Sequence, residues 1–269
     1  MFKTSMAISP TPAVFAPLLF AGDWPSALDA AVDMGYDAIE ISVRDPADPA
    51  VVACDDGLRR YGLQLSAVAT GQSFYSDGWS PTSDDPAVRR RLDERMHRII
   101  DLASPWGAMV VIGGVRGTLT GSDAEQAVQY QRAVDAVRGF GEYARQQGVS
   151  LVIEPINRYE TNYINTIQDA LAFINEVDLD NLGVLADTFH MNIEEADLAE
   201  SLRSAGRRLR HVQFTDSNRL AAGRGHIDFA ALAEVLREFD YDGYLSTETL
   251  PLPDSETAAR LAIDYFRTL

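Results

Sequence analysis

Four residues that can bind a divalent cation stand at the ends of apolar segments in the C-terminal half of the chain. They are Glu154, Asp187, Gln213 and Glu248, at intervals of 33, 26 and 35 residues. Each interval is about the length of one strand, one helix and their loops. If the segments are consecutive strands of a parallel barrel, the four side chains meet at the rim where barrel enzymes place their active sites. Three carboxylates and one amide oxygen there suit Mg²⁺ or Mn²⁺, with Co²⁺ as a further candidate.

The three carboxylates are costly to bury unless a cation accompanies them. Glu154 follows Leu-Val-Ile, Asp187 follows Gly-Val-Leu-Ala, and Glu248 follows Tyr-Leu-Ser-Thr. An ionised carboxylate taken out of water loses a large hydration free energy unless it is paired or bound to a metal. A salt bridge with an arginine on a neighbouring strand would explain one such residue. Three of them at the spacing of a repeated unit favour a shared metal ion.

His211 and Gln213 are alternatives for the fourth ligand. They are two residues apart in the segment His211-Val-Gln213, so a strand would point both side chains to the same face. Gln213 is nearer the carboxyl end, level with the three carboxylates, and an amide oxygen suits Mn²⁺ or Mg²⁺ better than an imidazole does. We therefore predict that Gln213 binds the metal. His211 lies one layer deeper, where we expect it to hydrogen-bond a carboxylate.

Several polar side chains beyond the strand ends are candidates for substrate binding. His190 lies three residues after Asp187, in a segment that we expect to form a loop above the metal, and could donate a hydrogen bond to a substrate oxygen. Arg44, Arg116 and Arg219 each follow a predicted strand. Any one of them could simply form a salt bridge within its loop. Several arginines above a cation nevertheless favour an anionic substrate group such as a carboxylate.

Short apolar segments alternate with longer amphipathic ones eight times along the chain, which is typical of the α/β class. The predicted strands are Thr4–Ile8, Ala38–Ser42, Gln64–Ala69, Ala108–Ile112, Ser150–Glu154, Leu182–Asp187, Arg210–Phe214 and Tyr244–Glu248. The predicted helices are 24–35, 48–61, 86–104, 123–147, 166–177, 195–205, 228–239 and 254–267. No Gly-x-Gly-x-x-Gly follows the first strand, which disfavours an open dinucleotide-binding sheet. We predict a single (β/α)8 TIM barrel domain over residues 1–269, with the long loop 70–85 covering the site.

The composition excludes several other classes of protein. The net charge of −17 disfavours a nucleic-acid partner, and the single cysteine, Cys54, excludes an internal disulfide framework and a multi-cysteine zinc site. The N-terminal residues lack the pattern of a signal peptide, and no apolar run is long enough for a membrane span. We expect a cytoplasmic enzyme with no membrane partner.

Four motifs resemble those of the xylose-isomerase-like sugar isomerase/epimerase superfamily. They are Glu154-Pro-Ile-Asn-Arg-Tyr-Glu160, Asp187-Thr-Phe-His-Met-Asn-Ile-Glu-Glu195, Asp216-Ser-Asn-Arg219 and Gly225-His-Ile-Asp-Phe229. Within that superfamily the chain resembles the ketose 3-epimerases that act on D-tagatose and D-allulose. Three further segments, at 43–46, 70–72 and 115–117, resemble the 5-keto-L-gluconate epimerase branch more closely. The likeness therefore extends over nearly the whole chain.

The resemblance implies a role for each matching residue. Residues that match Glu154 and Glu248 are both metal ligands and proton-transfer groups, and residues that match Asp187 and Gln213 complete the metal site. Residues that match Glu160, His190 and Arg219 hold the substrate. The ketose 3-epimerases typically have histidine where this chain has glutamine, whereas hydroxypyruvate isomerase-like relatives have glutamine. Relatives are often homodimers or homotetramers.

These residues predict a metal-dependent epimerase that moves a proton on the carbon next to a ketone through a cis-enediolate. The arginines and the resemblance favour a keto-sugar acid similar to 5-keto-L-gluconate. A neutral ketose 3-epimerase, a hydroxypyruvate-type aldose–ketose isomerase and an inosose dehydratase-like lyase are alternatives with the same site. A non-catalytic sugar-binding barrel is a further alternative. A phosphate-cleaving relative of the endonuclease IV group is disfavoured, because such enzymes hold three zinc ions with many histidines and this chain has four.

Overall fold

Eight parallel strands close into a barrel in the computed structural model, which describes residues 2–13 and 17–269. Each strand pairs with its neighbours in sequence, and the first strand pairs with the last. This is the predicted (β/α)8 TIM barrel. The strands are β1 (Lys3–Ile8), β2 (Ala38–Ser42), β3 (Gln64–Ala69), β4 (Met109–Ile112), β5 (Leu151–Ile153), β6 (Leu182–Asp187), β7 (Leu209–Gln213) and β8 (Tyr244–Thr247).

Helices surround the barrel and begin at sequence signals that satisfy their first N–H groups. Asp48 and Asp85 each accept a hydrogen bond from the second residue of the helix that follows, and a proline occupies the first helical position. The helices are α1 (Trp24–Met34), α2 (Pro49–Tyr61), α3 (Gln72–Tyr75), α4 (Pro86–Ala103), α5 (Asp123–Gln146), α6 (Ile167–Val177), α7 (Thr188–Glu194), α8 (Leu198–Ala205), α9 (Phe229–Glu238) and α10 (Ser255–Phe266). Within the described residues, no helix is both long enough and apolar enough to cross a membrane.

Two short helices lie where the sequence predicted loops. The helix α3 lies within the predicted loop 70–85, and α7 follows β6 without an intervening loop. The prediction that His190 lies in a loop was therefore wrong. The reason is local, because the Asp187 carboxylate accepts a hydrogen bond from the Phe189 N–H at 2.8 Å and caps the first turn of α7. His190 is consequently held on a helix.

The barrel interior is divided into an apolar part and a polar part. Along β2, Ile39 and Ile41 belong to the large core between barrel and helices, so strand alternation turns Glu40 inward. Interior residues from β3 to β6 form a small apolar cluster of Ala67, Val111, Val152 and Leu185. Buried polar residues of the barrel strands include Ser5, Glu40, Ser66, His211, Gln213 and Ser246. This polar part contains the predicted metal ligand Gln213 at the end of β7.

Candidate active site

A cavity of about 180 Å³ lies at the carboxyl ends of the strands. This volume suits a small molecule, since it is below the range of drug-sized sites, which begins at roughly 300 Å³. The lining residues come from the carboxyl ends of strands, from the segments that follow the strands, and from α3 and α7. They are Pro17, Ser42, Ala69, Thr70, Gly71, Tyr75, Val111, Gly113, Gly114, Glu154, Ile156, Glu160, His190, Arg219 and Glu248.

The four predicted metal ligands all lie at this rim. Glu154 directly follows β5 and Glu248 directly follows β8, and both line the cavity. Asp187 and Gln213 are the last residues of β6 and β7, and the strand register places them side by side. Both are buried. The four residues thus lie at the same end of the barrel, because each stands at the carboxyl end of its strand.

Two oxygen atoms at this rim lack a hydrogen-bond donor. Within the described residues, Oδ2 of Asp187 and Oε1 of Gln213 are buried and have no hydrogen-bond partner. An unsatisfied buried acceptor is costly, and a cation would satisfy both atoms. Carboxylate oxygens of Glu154 and Asp187 also lie within 4.8 Å of one another, close enough to share a metal ion. The residues present therefore fit a divalent cation.

The charges around the cavity point to the same conclusion. Burial raises the pKa of Glu154, and the negative charge of Asp187 raises it further. Burial likewise raises the pKa of Glu248, with added contributions from Glu154 and Asp187. Three carboxylates that destabilise one another's ionised forms are the arrangement that a bound divalent cation would stabilise.

His190 is oriented as a hydrogen-bond donor toward these carboxylates. Its Nδ1 lies 2.7 Å from the side-chain nitrogen of Asn157 and 3.4 Å from the Asn157 backbone nitrogen, both of which are donors. Nδ1 must therefore accept, and the ring hydrogen is on Nε2. Nε2 lies 3.7 Å from Oε1 of Glu154 and 3.6 Å from Oδ2 of Asp187. Burial lowers the pKa of His190 well below its usual value, so the ring is neutral. A protonated Nε2 suits hydrogen bonding to a substrate oxygen and does not suit metal ligation.

Arg219 and Glu160 form a pair on another part of the cavity wall. The guanidinium donates a hydrogen bond to Oε1 of Glu160 at 3.0 Å and lies 3.9 Å from Oε2 of Glu248. It also stacks over the ring of Phe189, 4.5 Å from the centroid. The Arg219 carbonyl accepts hydrogen bonds from Thr249 and from the Leu250 N–H, which stabilises an unusual backbone φ of 61°. Arg219 and Glu160 thus form a hydrogen-bonded pair on the wall of the cavity.

Arg116 is not available to a substrate, contrary to the sequence-based expectation. Its side chain is buried, and its guanidinium donates to the carbonyl oxygens of Glu154 at 2.5 Å, Gly113 at 3.2 Å and Ile164 at 2.9 Å. These bonds join the segments that follow β4 and β5. Both terminal nitrogens of the guanidinium bond backbone carbonyls and Nε is buried, so Arg116 presents no donor to a substrate in the cavity.

Arg44 also departs from its expected role. Its side chain is 55% exposed and forms an ion pair with Asp77 at 2.5 Å. It is absent from the residues that line the cavity. Asp77 also pairs with Arg95 at 2.6 Å, so Arg44 is one of two arginines that anchor the segment 70–85. The arginine is a surface salt-bridge residue and not a substrate ligand.

Sequence reasoning missed a buried carboxylate beneath the site. Glu40 accepts hydrogen bonds from Nε2 of His211 at 2.9 Å, from Nε2 of Gln213 at 2.9 Å and from Oγ of Ser246 at 2.8 Å. The expectation that His211 bonds a carboxylate is confirmed, but Glu40 had not been identified as the partner. Its inward position in the apolar segment Ala38-Ile-Glu-Ile-Ser42 was the available signal. Asn157 and Tyr75 were also missed.

Glycine at position 113 allows the β4 segment to approach the site closely. A Cβ atom at this position would overlap the carboxylate oxygen Oε2 of Glu154. The adjacent Gly114 faces the ring of Tyr75 in a similarly close contact. The lack of space beside Glu154 is therefore a reason for glycine at position 113.

A parallel eight-stranded barrel with acidic residues at the carboxyl ends of its strands defines a class of α/β barrel with a candidate metal site. The family model described as "Xylose isomerase-like TIM barrel" matches residues 28–269. The chain therefore belongs to the xylose isomerase-like TIM barrel family.

Individual relatives within this family are epimerases by name. The chain is 36% identical over 239 residues to an L-ribulose 3-epimerase of Methylomonas sp. (strain DH-1), covering 86% of this chain and 82% of the relative. It is 30% identical over 246 residues to the 3-dehydro-D-guloside 4-epimerase of Escherichia coli (strain K12), covering 88% and 91%. The crystal structure of a Methylomonas sp. D-allulose 3-epimerase in complex with D-allulose superposes with a TM-score of 0.82 at 27% identity, covering 100% of this chain and 98% of that one.

Proposed function

We propose that this protein is a divalent-cation-dependent epimerase that inverts the carbon next to the ketone of a neutral ketose. The observation that carries the proposal is that two carboxylates, Glu154 and Glu248, line one small cavity beside the candidate cation site. Inversion at a carbon acid requires one group to remove a proton from one face and a second group to return a proton to the other face. Two carboxylates in one cavity supply these groups.

The remaining side chains would bind and orient the sugar. Glu154, Asp187, Gln213 and Glu248 would hold the cation, which as Mn²⁺ or Mg²⁺ would polarise the ketone and stabilise negative charge on the substrate. The His190 Nε2–H would donate to a sugar oxygen next to the reacting carbon. Arg219 and Glu160 would bind hydroxyl groups farther along the chain of the sugar. Which of Glu154 and Glu248 removes the proton depends on the configuration of the substrate.

The names of the relatives support this reaction. In L-ribulose the ketone is at C2, and a 3-epimerase inverts the next carbon. In a 3-dehydro-guloside the ketone is at C3, and a 4-epimerase again inverts the next carbon. The position of inversion relative to the ketone is shared, although the substrates differ. We therefore infer the position of inversion from the relatives. We infer the neutral character of the sugar from the side chains that line the cavity.

The charge of the cavity favours a neutral ketose over the keto-sugar acid that the sequence first suggested. Arg219 is the cavity-lining arginine, and it already pairs with Glu160. Two of the three arginines that favoured an acid are not available, because Arg116 bonds backbone carbonyls and Arg44 pairs with Asp77. A substrate carboxylate would meet Glu154, Glu160 and Glu248 without a free cationic side chain. Sugars of the L-ribulose, D-allulose and D-tagatose type fit this surface better.

The experiment is ¹H NMR in D₂O with Mn²⁺, with D-allulose, D-tagatose and L-ribulose measured beside 5-keto-L-gluconate and an inosose. We expect deuterium to enter the carbon next to the ketone of a neutral ketose and the epimer to accumulate. A higher kcat/KM for the keto acid would overturn the neutral-substrate assignment. Loss of water from the inosose would identify a lyase, and the absence of exchange in every sugar would exclude the proposed reaction.

A further inference from the structure

We propose that Glu40 is a positioning residue that fixes the side-chain amide of Gln213 with its carbonyl oxygen toward the cation. The inference rests on the cation site of the proposed function. Glu40 lies in the middle of β2 and is 1% exposed. It does not line the substrate cavity, so its effect must pass through the residues that it contacts.

Donors from two other strands occupy both oxygen atoms of Glu40. Oε1 accepts from Nε2 of Gln213 at 2.9 Å. Oε2 accepts from Nε2 of His211 at 2.9 Å and from Oγ of Ser246 at 2.8 Å. Glu40 is thereby held in place from β7 and β8, and it can bond Gln213 through one end of the amide only.

The hydrogen bond decides which end of the Gln213 amide faces the site. Both oxygens of Glu40 accept hydrogen bonds, and the amide nitrogen is the end of Gln213 that faces Glu40. A rotated amide would bring two acceptor oxygens together and lose this hydrogen bond. With the nitrogen held by Glu40, Oε1 of Gln213 is left buried without a partner, beside Asp187 in the strand register. An oxygen in this position can bind a cation, whereas an amide nitrogen cannot.

A glutamine at position 40 would fix the Gln213 amide less strictly than the native side chain does. It could bond the Gln213 amide in either orientation, because it carries both a donor and an acceptor. The two oxygen atoms of Glu40, both of which accept hydrogen bonds, favour a single orientation of that amide.

The test is Mn²⁺ binding to the metal-free protein by isothermal titration calorimetry, with circular dichroism to establish folding. We expect Glu40→Gln to weaken Mn²⁺ binding by roughly 10- to 100-fold, the usual effect of removing a group that orients a metal ligand. Ser66→Ala is the matched control, because Ser66 is a buried polar residue of the barrel that bonds Ser5 and not Glu40. It should bind Mn²⁺ as the wild type does. Equal affinities of Glu40→Gln and the wild type would overturn the proposal.

A double-mutant cycle distinguishes positioning from a general loss of charge or structure. If Glu40 acts through Gln213, the Glu40→Gln/Gln213→Ala double variant should bind Mn²⁺ as weakly as Gln213→Ala alone. If the two substitutions reduce Mn²⁺ affinity independently, so that their effects multiply in the double variant, the positioning role would be overturned. If Glu40→Gln does not fold, Ser246→Ala takes its place, and an affinity equal to that of the wild type would again contradict the proposal. A wild-type protein that binds no Mn²⁺ would instead overturn the cation site itself.

Discussion

The side chain of Asn157 fixes the tautomer of His190. The amide nitrogen lies 2.7 Å from Nδ1 of the imidazole, and the amide oxygen accepts the Tyr159 N–H at 3.0 Å, so the amide cannot turn over without losing both bonds. The two residues belong to different segments, one after β5 and the other in α7. The hydrogen on Nε2 of His190, which we assign to substrate binding, therefore depends on a residue outside the cavity.

Replacing Asn157 with aspartate should reverse the tautomer. The carboxylate would accept a hydrogen from Nδ1, which would leave a lone pair on Nε2 and remove the donor facing the substrate. We expect kcat for ketose epimerisation to fall by roughly 100-fold with a smaller change in KM, the loss typical of a positioned hydrogen-bonding group. Asn162→Asp is the control, because Asn162 belongs to the same segment and bonds Leu119 instead. Similar losses in both variants would contradict the tautomer argument.

Removing either proposed proton-transfer group should nearly abolish turnover. We expect Glu154→Gln and Glu248→Gln to lower kcat by more than about a thousandfold, because each change removes a proposed base and alters a proposed cation ligand. Asp187→Asn should act mainly on cation affinity, so excess Mn²⁺ should partly restore its activity. Steady-state kinetics over a range of Mn²⁺ concentrations measure this difference. Metal-insensitive losses of equal size in all three variants would argue against separate roles.

Gln213→His should change the preference for the cation. The four proposed ligands offer oxygen only, which favours Mg²⁺ and Mn²⁺ over softer metals. An imidazole at this position would favour Co²⁺, Ni²⁺ or Zn²⁺, so the ratio of Co²⁺ to Mg²⁺ affinity should rise by about tenfold or more. Calorimetric titration of the metal-free variant and the wild type gives this ratio directly. An unchanged ratio would show that residue 213 is not a ligand.

Arg116→Lys should lower the stability of the folded protein. Two different guanidinium nitrogens bond these carbonyl oxygens, one facing Gly113 and Glu154 and the other facing Ile164, and the single nitrogen of a lysine cannot occupy both positions. Unsatisfied buried acceptors should lower the free energy of unfolding by about 2–4 kcal/mol, measured by urea denaturation. Arg44→Ala, which removes an exposed guanidinium, should change it by no more than about 1 kcal/mol. A larger loss of unfolding free energy in Arg44→Ala than in Arg116→Lys would contradict the placement of the two arginines.

Acid should weaken the link between the segment after β5 and α7. Hydrogen bonds from Arg158 hold the pKa of Glu194 below its usual value of 4.5. Because the folded-state pKa is the lower one, this pair stabilises the fold above about pH 4.5 and the contribution is lost as the pH falls through the folded-state value. Glu194→Gln should therefore lower Tm at pH 7 and have less effect near pH 3. Glu234→Gln is the control, because it removes an exposed ion pair with Arg237 and should change Tm little.

The sequence predicted the strands and the rim residues because both depend on local pattern and spacing. Apolar segments of the right length ended at Glu154, Asp187 and Glu248, and a closed barrel necessarily brings such ends together. The positions of Arg44 and Arg116 could not be predicted in this way. Each follows a strand, but whether its guanidinium reaches a cavity or a neighbouring backbone depends on the packing of other segments. Glu40 was missed for the same reason, since its partners lie on β7 and β8, far away in sequence.

The glycine at position 113 has a consequence for how this site could be altered. Even an alanine would place a methyl group where the Glu154 carboxylate lies. A mutagenesis library built to change substrate choice can vary Ser42, Thr70 or Tyr75 on the cavity wall, but at position 113 every substitution also displaces a proposed base. Substitutions that change substrate choice are therefore expected at other positions of the cavity wall and not at position 113.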